Sequence, residues 1–273
     1  MNYHALSSST PPHGFIPVLS PRFPLDTLLA PYAARLSGHA LISLPELHAA
    51  NLTRLHLPPL KLLLDSGGYA ALQGGSAVLP LAAGRGALKL PGGRTITPED
   101  VLRTAQDHRA HASFTLDFPA RTPEERALRD PLSLANARWA LRQPRSGLLY
   151  ASVQPGQDLA PILELRPDGL ALGGLVPHAR DLTWLHREVG RVRARIGPTL
   201  PLHVFGIGHP EGVRTAMRAG ATSVDSSGPQ RRAADSRTWD GTLIPDPAPH
   251  ERLRLAVLNL DASVRAARIE VEA

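Results

Sequence analysis

Short apolar runs alternate along the chain with longer stretches whose apolar residues recur every three or four positions. The runs predict strands at 15–19, 40–43, 62–64, 113–117, 148–153, 169–172, 202–205 and 223–224. Several are apolar at consecutive positions, as parallel strands covered on both faces should be. The periodic stretches predict helices between them. Thr97-Pro98-Glu99-Asp100 offers an N-cap hydroxyl, a proline in the first turn and two early acids, so a helix should run from there to about 111. Thr122-Pro123-Glu124-Glu125 repeats the signature and leads a helical region to about 142. Further helices are predicted over 180–196, 210–219 and 250–271, the fourth stopped by Gly220. Regular alternation of strand and helix points to an α/β fold built on a parallel sheet. Eight such strands in 273 residues fit a (β/α)8 TIM barrel, which typically needs ~250 residues.

Two stretches break the alternation. Positions 74–94 carry six glycines and two prolines, and predict a long loop or hairpin inserted after the third strand, near the active-site mouth or serving as a lid. Positions 238–249 predict a second loop before the last helix. No internal repeat or second core is visible, so residues 1–273 are expected to form one domain.

Composition narrows the chemistry. The chain has no cysteine, which excludes disulfides, thiolate catalysis and a Cys-ligated zinc. Twelve histidines are present, but none in a His-Glu-x-x-His or comparable ligand spacing, so no metal or cofactor is expected. No apolar run reaches the roughly 18 residues of a membrane span. Positions 1–12 lack the apolar core of a signal peptide, and a cytoplasmic protein without membrane partners is the default expectation. The net charge of +6 suits a polyanionic partner such as nucleic acid, and equally suits plain arginine-rich usage.

The informative pattern lies just after the strands. Leu62-Leu63-Leu64 runs into Asp65-Ser66-Gly67-Gly68-Tyr69, and Phe114-Thr115-Leu116 into Asp117. Val153 precedes Gln154, Leu172 precedes Gly173-Gly174-Leu175, Phe205 precedes Gly206-Ile207-Gly208, and Val224 precedes Asp225-Ser226-Ser227. In a parallel barrel all these ends face one mouth, so three carboxyl groups and an amide should converge there. Two carboxyl groups flanking an anomeric carbon suit glycosyl transfer. A third, with an amide, suits a purine edge. Each residue also has a bland reading: Asp65 as a helix cap, Asp117 as a loop acid, Asp225 as an Asx-turn, Gln154 as a turn residue.

Taken in order, these segments resemble the tRNA-guanine transglycosylase superfamily, collinearly from about Gly14 to Asp240. The Asp65–Tyr69 run resembles its Asp-Ser-Gly-Gly-Phe motif. The segment around Asp117, then Gln154 and Gly173-Gly174-Leu175, resemble its base pocket, and the segment around Phe205 the strand that stacks on the base. Asp225 falls where the family keeps its nucleophile. The zinc-binding cysteines of the tRNA enzymes are absent, and Val224-Asp225-Ser226-Ser227 looks closer to the DpdA-like branch, implicated in placing 7-deazaguanines in DNA. The resemblance therefore implies a pentosyltransferase exchanging guanine for a 7-deazaguanine such as preQ0 in nucleic acid, DNA before tRNA. It implies Asp225 as nucleophile and Asp65 as general acid/base, the two close together, by analogy with the ~5 Å of retaining glycosidases. Asp117, Gln154 and the Gly173–Leu175 backbone would read the base edge, with Phe205 and Tyr69 on its face. Arg231, Arg232 and Arg237 are the candidate phosphate contacts, against the plainer reading of a solvated arginine-rich loop. Other readings stay open: a zinc-independent tRNA enzyme, a nucleoside or nucleotide glycosylase using water, and a non-catalytic nucleic-acid-binding subunit.

Overall fold

The computed structural model describes residues 10–49 and 59–268. Eight parallel strands make one sheet: β1 (Gly14–Pro17), β2 (His39–Ser43), β3 (Lys61–Asp65), β4 (Ala112–Phe114), β5 (Leu148–Val153), β6 (Gly169–Leu172), β7 (Leu202–Val204) and β8 (Ser223–Ser226). Their neighbour order runs β1-β8-β7-β6-β5-β4-β3-β2, so the sheet curls until its two edges face each other. Between β1 and β2 the pairing narrows to one bridge, Val18 to Leu41, and the Leu19 N–H donates to the Leu41 carbonyl at 2.8 Å. The result is a nearly closed (β/α)8 barrel. All eight predicted strands are present, two with the predicted bounds and the others shifted by at most three residues at their ends.

Alternation along each strand sorts the side chains. Ile16, Leu41, Leu63, Phe114, Tyr150 and Ala171 fill the bore. Phe15, Ile42, Leu64, Leu170, Leu172, Val204 and Val224 face the helices. With few aromatics in the chain, that outer layer is built mainly from Leu, Val and Ala.

The cap signals act as the sequence implies. Thr97 accepts from the Asp100 N–H and Asp100 accepts from the Thr97 N–H, opening the helix Pro98–Asp107. Thr122 accepts from the Glu125 N–H and opens Pro123–Ala140. The first of these stops before the predicted 111 because the chain must turn at Arg109, φ +50°, to enter β4. Leu182–Ile196 is capped by Asp181, Pro210–Arg218 follows β7, and Pro249–Ala267 ends the described fold; predicted positions 269–271 lie outside the described residues. Four helices carried no sequence expectation: Pro24–Leu36, Leu44–Ala49, Ala160–Leu163 and Gly228–Ala234.

The insertion is an ordered antiparallel ribbon of Ala77–Pro80, Gly86–Lys89 and Thr95–Ile96. Buried Asn136 holds it. Its Oδ1 accepts from the Gly86 N–H (2.9 Å), and its Nδ2 donates to the carbonyls of Gly86 (3.1 Å) and Leu116 (3.0 Å). The same side chain thus fixes both the ribbon and the segment leading to Asp117.

Candidate active site at the barrel mouth

Three carboxyl side chains and one amide meet at the C-terminal ends of the strands. Asp65 closes β3 and is paired in register with Ser43 at the end of β2. The chain then makes a short 3-10 turn, Gly68–Leu72, whose N-cap is Gly67 with no side-chain cap bond. Asp65 is therefore not a helix cap. A Cβ at Gly68 would collide with the backbone and carboxyl oxygens of Asp117. This close approach brings the β3 and β4 loops together, so a larger residue would push Asp117 out of place.

Asp117 accepts a hydrogen bond of 2.6 Å on Oδ2 from Gln154 Nε2. The Gln154 backbone meanwhile forms a turn, its N–H donating to Gln157 Oε1 and its carbonyl accepting from the Gln157 N–H. Turn residue and site residue are thus the same side chain in two roles. Gly174 has φ +70°, and a Cβ there would lie 2.6 Å from Gln154 Oε1. Only glycine fits both the conformation and the space. Glu188, from the helix Leu182–Ile196, accepts from the Gly156 N–H at 3.1 Å and steadies the turn.

Asp225 sits on β8 opposite Ile16 in register and is almost fully buried. Its Oδ1 accepts from the Gly206 N–H at 2.6 Å. That bond crosses from β8 to the loop after β7, so Asp225 is not closing a local Asx-turn. It is a carboxylate braced from a neighbouring strand.

Electrostatics ties the acids into one group. Burial, and then the nearby Asp225 charge, push the Asp65 carboxyl up to about 6, against the Gly67 N–H, the Ser43 hydroxyl and His203. Burial also raises Asp117 to about 7; its bond from Gln154 opposes the shift and the Asp65 charge adds to it. Two carboxyl groups that titrate near neutrality beside a third acid can hold and move protons at working pH.

The remaining predicted residues fall around this group. Phe205 is half-buried, with its ring edge-to-face on Phe114 at 4.8 Å. Leu175 is fully buried, so only its backbone is available to a ligand, and Tyr69 is exposed at the start of the Gly68–Leu72 turn. Arg231 is exposed on the helix Gly228–Ala234. Arg232 points its Nε at the Thr238 carbonyl (3.1 Å), so its guanidinium is partly engaged in holding its own loop, while Arg237 is half-buried and its backbone carbonyl accepts from Asn259.

Two polar groups escape the sequence reading. Ser43 lies at a strand end, where the criterion used for the acids could have found it. His203 lies inside the barrel, where Leu202-His203-Val204 reads as an ordinary buried strand; its signal is an ionisable residue at an inward position. Among the described residues no group of three or more His, Asp or Glu side chains is arranged to hold a metal ion, and no helix is long and apolar enough to cross a membrane. A cavity of about 460 Å³ opens at the opposite end of the barrel beside Lys61, His108, Arg109 and His111. Among the described residues it is lined by no carboxylate, so the candidate chemistry belongs to the mouth. Comparison with protein-family models and with curated protein sequences finds no match.

Proposed function

We propose that the chain is a base-exchange glycosyltransferase of the guanine transglycosylase kind. It acts on a guanine nucleotide in nucleic acid, DNA favoured over tRNA, with a 7-deazaguanine such as preQ0 as the incoming base. The carrying observation is the division of labour among the acids: Asp225 braced by the Gly206 N–H, Asp65 raised to about 6 beside it, and Asp117 tied to Gln154.

In the first displacement an Asp225 oxygen bonds to C1′ and the C1′–N9 bond breaks, its electron pair leaving with guanine. Protonated Asp65 delivers its proton to the departing ring. In the second, N9 of the incoming base bonds to C1′, the C1′–oxygen bond breaks with its pair returning to Asp225, and Asp65 takes up the proton. Two inversions give retention. Asp117 accepts from the donor edge of the base, Gln154 adds an amide, and Phe205 lies against the ring face. A target inside a duplex must leave the stack first. Arg231, the freest of the three candidate arginines, suits a flanking phosphate.

The test offers DNA and tRNA in parallel with labelled guanine or preQ0. Label should enter nucleic acid with the wild type, and a covalent adduct should be trapped that Asp225→Ala cannot form. Exchange surviving in Asp225→Ala removes the mechanism. Label entering tRNA alone removes the preference for DNA.

A further inference from the structure

His203 is the polar group the mechanism above leaves unused. It is fully buried on β7, facing into the bore. Aromatic rings flank it: Phe114 at 5.0 Å and Phe205 at 4.8 Å between centroids. Space of that kind suits an apolar side chain, so a histidine there needs polar partners. Nδ1 has one, the Ser223 Oγ at 2.8 Å. Nε2 has no hydrogen-bond partner among the described residues, yet stands 3.7 Å from Asp225 Oδ2. Gly206 grips the other oxygen of the same carboxylate.

The chemistry of the pair fixes the tautomer. A lone pair on Nε2 facing a carboxylate oxygen is repulsive, whereas an N–H is attractive. With the hydrogen on Nε2, Nδ1 becomes the acceptor and the Ser223 hydroxyl donates to it. The other ionisable group near this ring is Asp65; the aromatic neighbours are the phenyl of Phe114 on β4 and, beyond it, Tyr150 of β5.

We propose that His203 is a positioning residue for Asp225. Ser223 holds its ring with Nε2–H aimed at Oδ2, and Gly206 and His203 together fix the carboxylate from two sides in its attacking orientation. The inference rests on the reading of Asp225 as nucleophile, and its test separates the two.

Exchange kinetics and imidazole ¹⁵N NMR are measured on wild type, His203→Phe, His203→Gln and Asp225→Asn. His203→Phe keeps the aromatic packing and loses the donor. Its kcat should fall roughly ten- to a hundredfold, as for loss of a hydrogen bond to a charged group, while KM for the base changes little. His203→Gln, which can place an amide N–H at the same point, should recover part of the loss. NMR, with the resonance assigned by its absence from His203→Phe, should show the Nε2–H form in wild type and a shift in Asp225→Asn. An Nδ1–H form, or a signal indifferent to Asp225→Asn, overturns the proposal even if no exchange is detected. Full kcat in a folded His203→Phe overturns it while leaving the nucleophile in place; exchange persisting in Asp225→Asn instead removes the reading beneath it.

Discussion

The acids at the mouth act against the stability of the fold that carries them. Asp65 and Asp117 have raised carboxyl pKa values, so ionisation is disfavoured in the folded state. The sign follows: their contribution is most favourable below the unfolded value near 3.8 and is lost as pH rises through about 6 and 7. Asp117→Asn, neutral throughout, should stabilise the protein by roughly 1–3 kcal/mol at pH 8 and by little at pH 4, read by denaturant unfolding at each pH. Equal effects at both pH values would show that burial of charge is not the cause. The same variant should bind a guanine-like base at least about tenfold more weakly, since the amide offers one acceptor where the carboxylate offers two. These residues were legible because a strand-end position needs only the strand. The Gln154–Asp117 bond and the reach of Gly206 to Asp225 were not, because they join residues far apart in sequence. His203 was hidden because inward and outward positions of a three-residue apolar strand look alike until the barrel closes.

Buried asparagines hold the elements around the site. Asn136 ties the ribbon to the Leu116 carbonyl. Asn259, on the last helix, accepts from the Trp239 N–H and donates to the carbonyls of Pro229 and Arg237, while Ser263 donates to Gly208. One helix thereby fixes the loops after β7 and β8. Asn136→Leu keeps the volume but strands the Gly86 N–H and two carbonyls. It should cost about 2–4 kcal/mol and weaken base binding through Asp117. Unfolding and base titration check the two effects, and a loss of stability alone would mean that the ribbon does not position the site. The helices opened by a threonine N-cap, Thr97 and Thr122, were readable from sequence. Pro24–Leu36 was missed because Phe23 provides no cap side chain and Pro31 interrupts it. For the ribbon the sequence left loop and hairpin as alternatives, because its glycines mark turns and a close approach to Phe118, which a one-dimensional pattern cannot tell from loop.

At the scale of the whole molecule the barrel has one thin place. Elsewhere adjacent strands share laddered pairs, but β1 and β2 meet at a single bridge, covered by the packing of the last helix on β1 and on Pro24–Leu36. Hydrogen exchange should therefore find the Leu19 amide opening at lower free energy than those of Gly173 and Phe205, which bond across full ladders. The eightfold count was legible in the sequence; the place where the ring closes was not, since closure is a relation between its first strands and its last. Asp225 lies one strand from the thin place on one side and Asp65 one strand from it on the other. The bore of the barrel and the gap between Asp65 and Asp225 are thus a single dimension, set by how tightly the ring is drawn shut. A molecule gripping both carboxyl groups works as a clasp: part of its grip should register as slower exchange at Leu19, on the ring's fastening and away from the acids themselves.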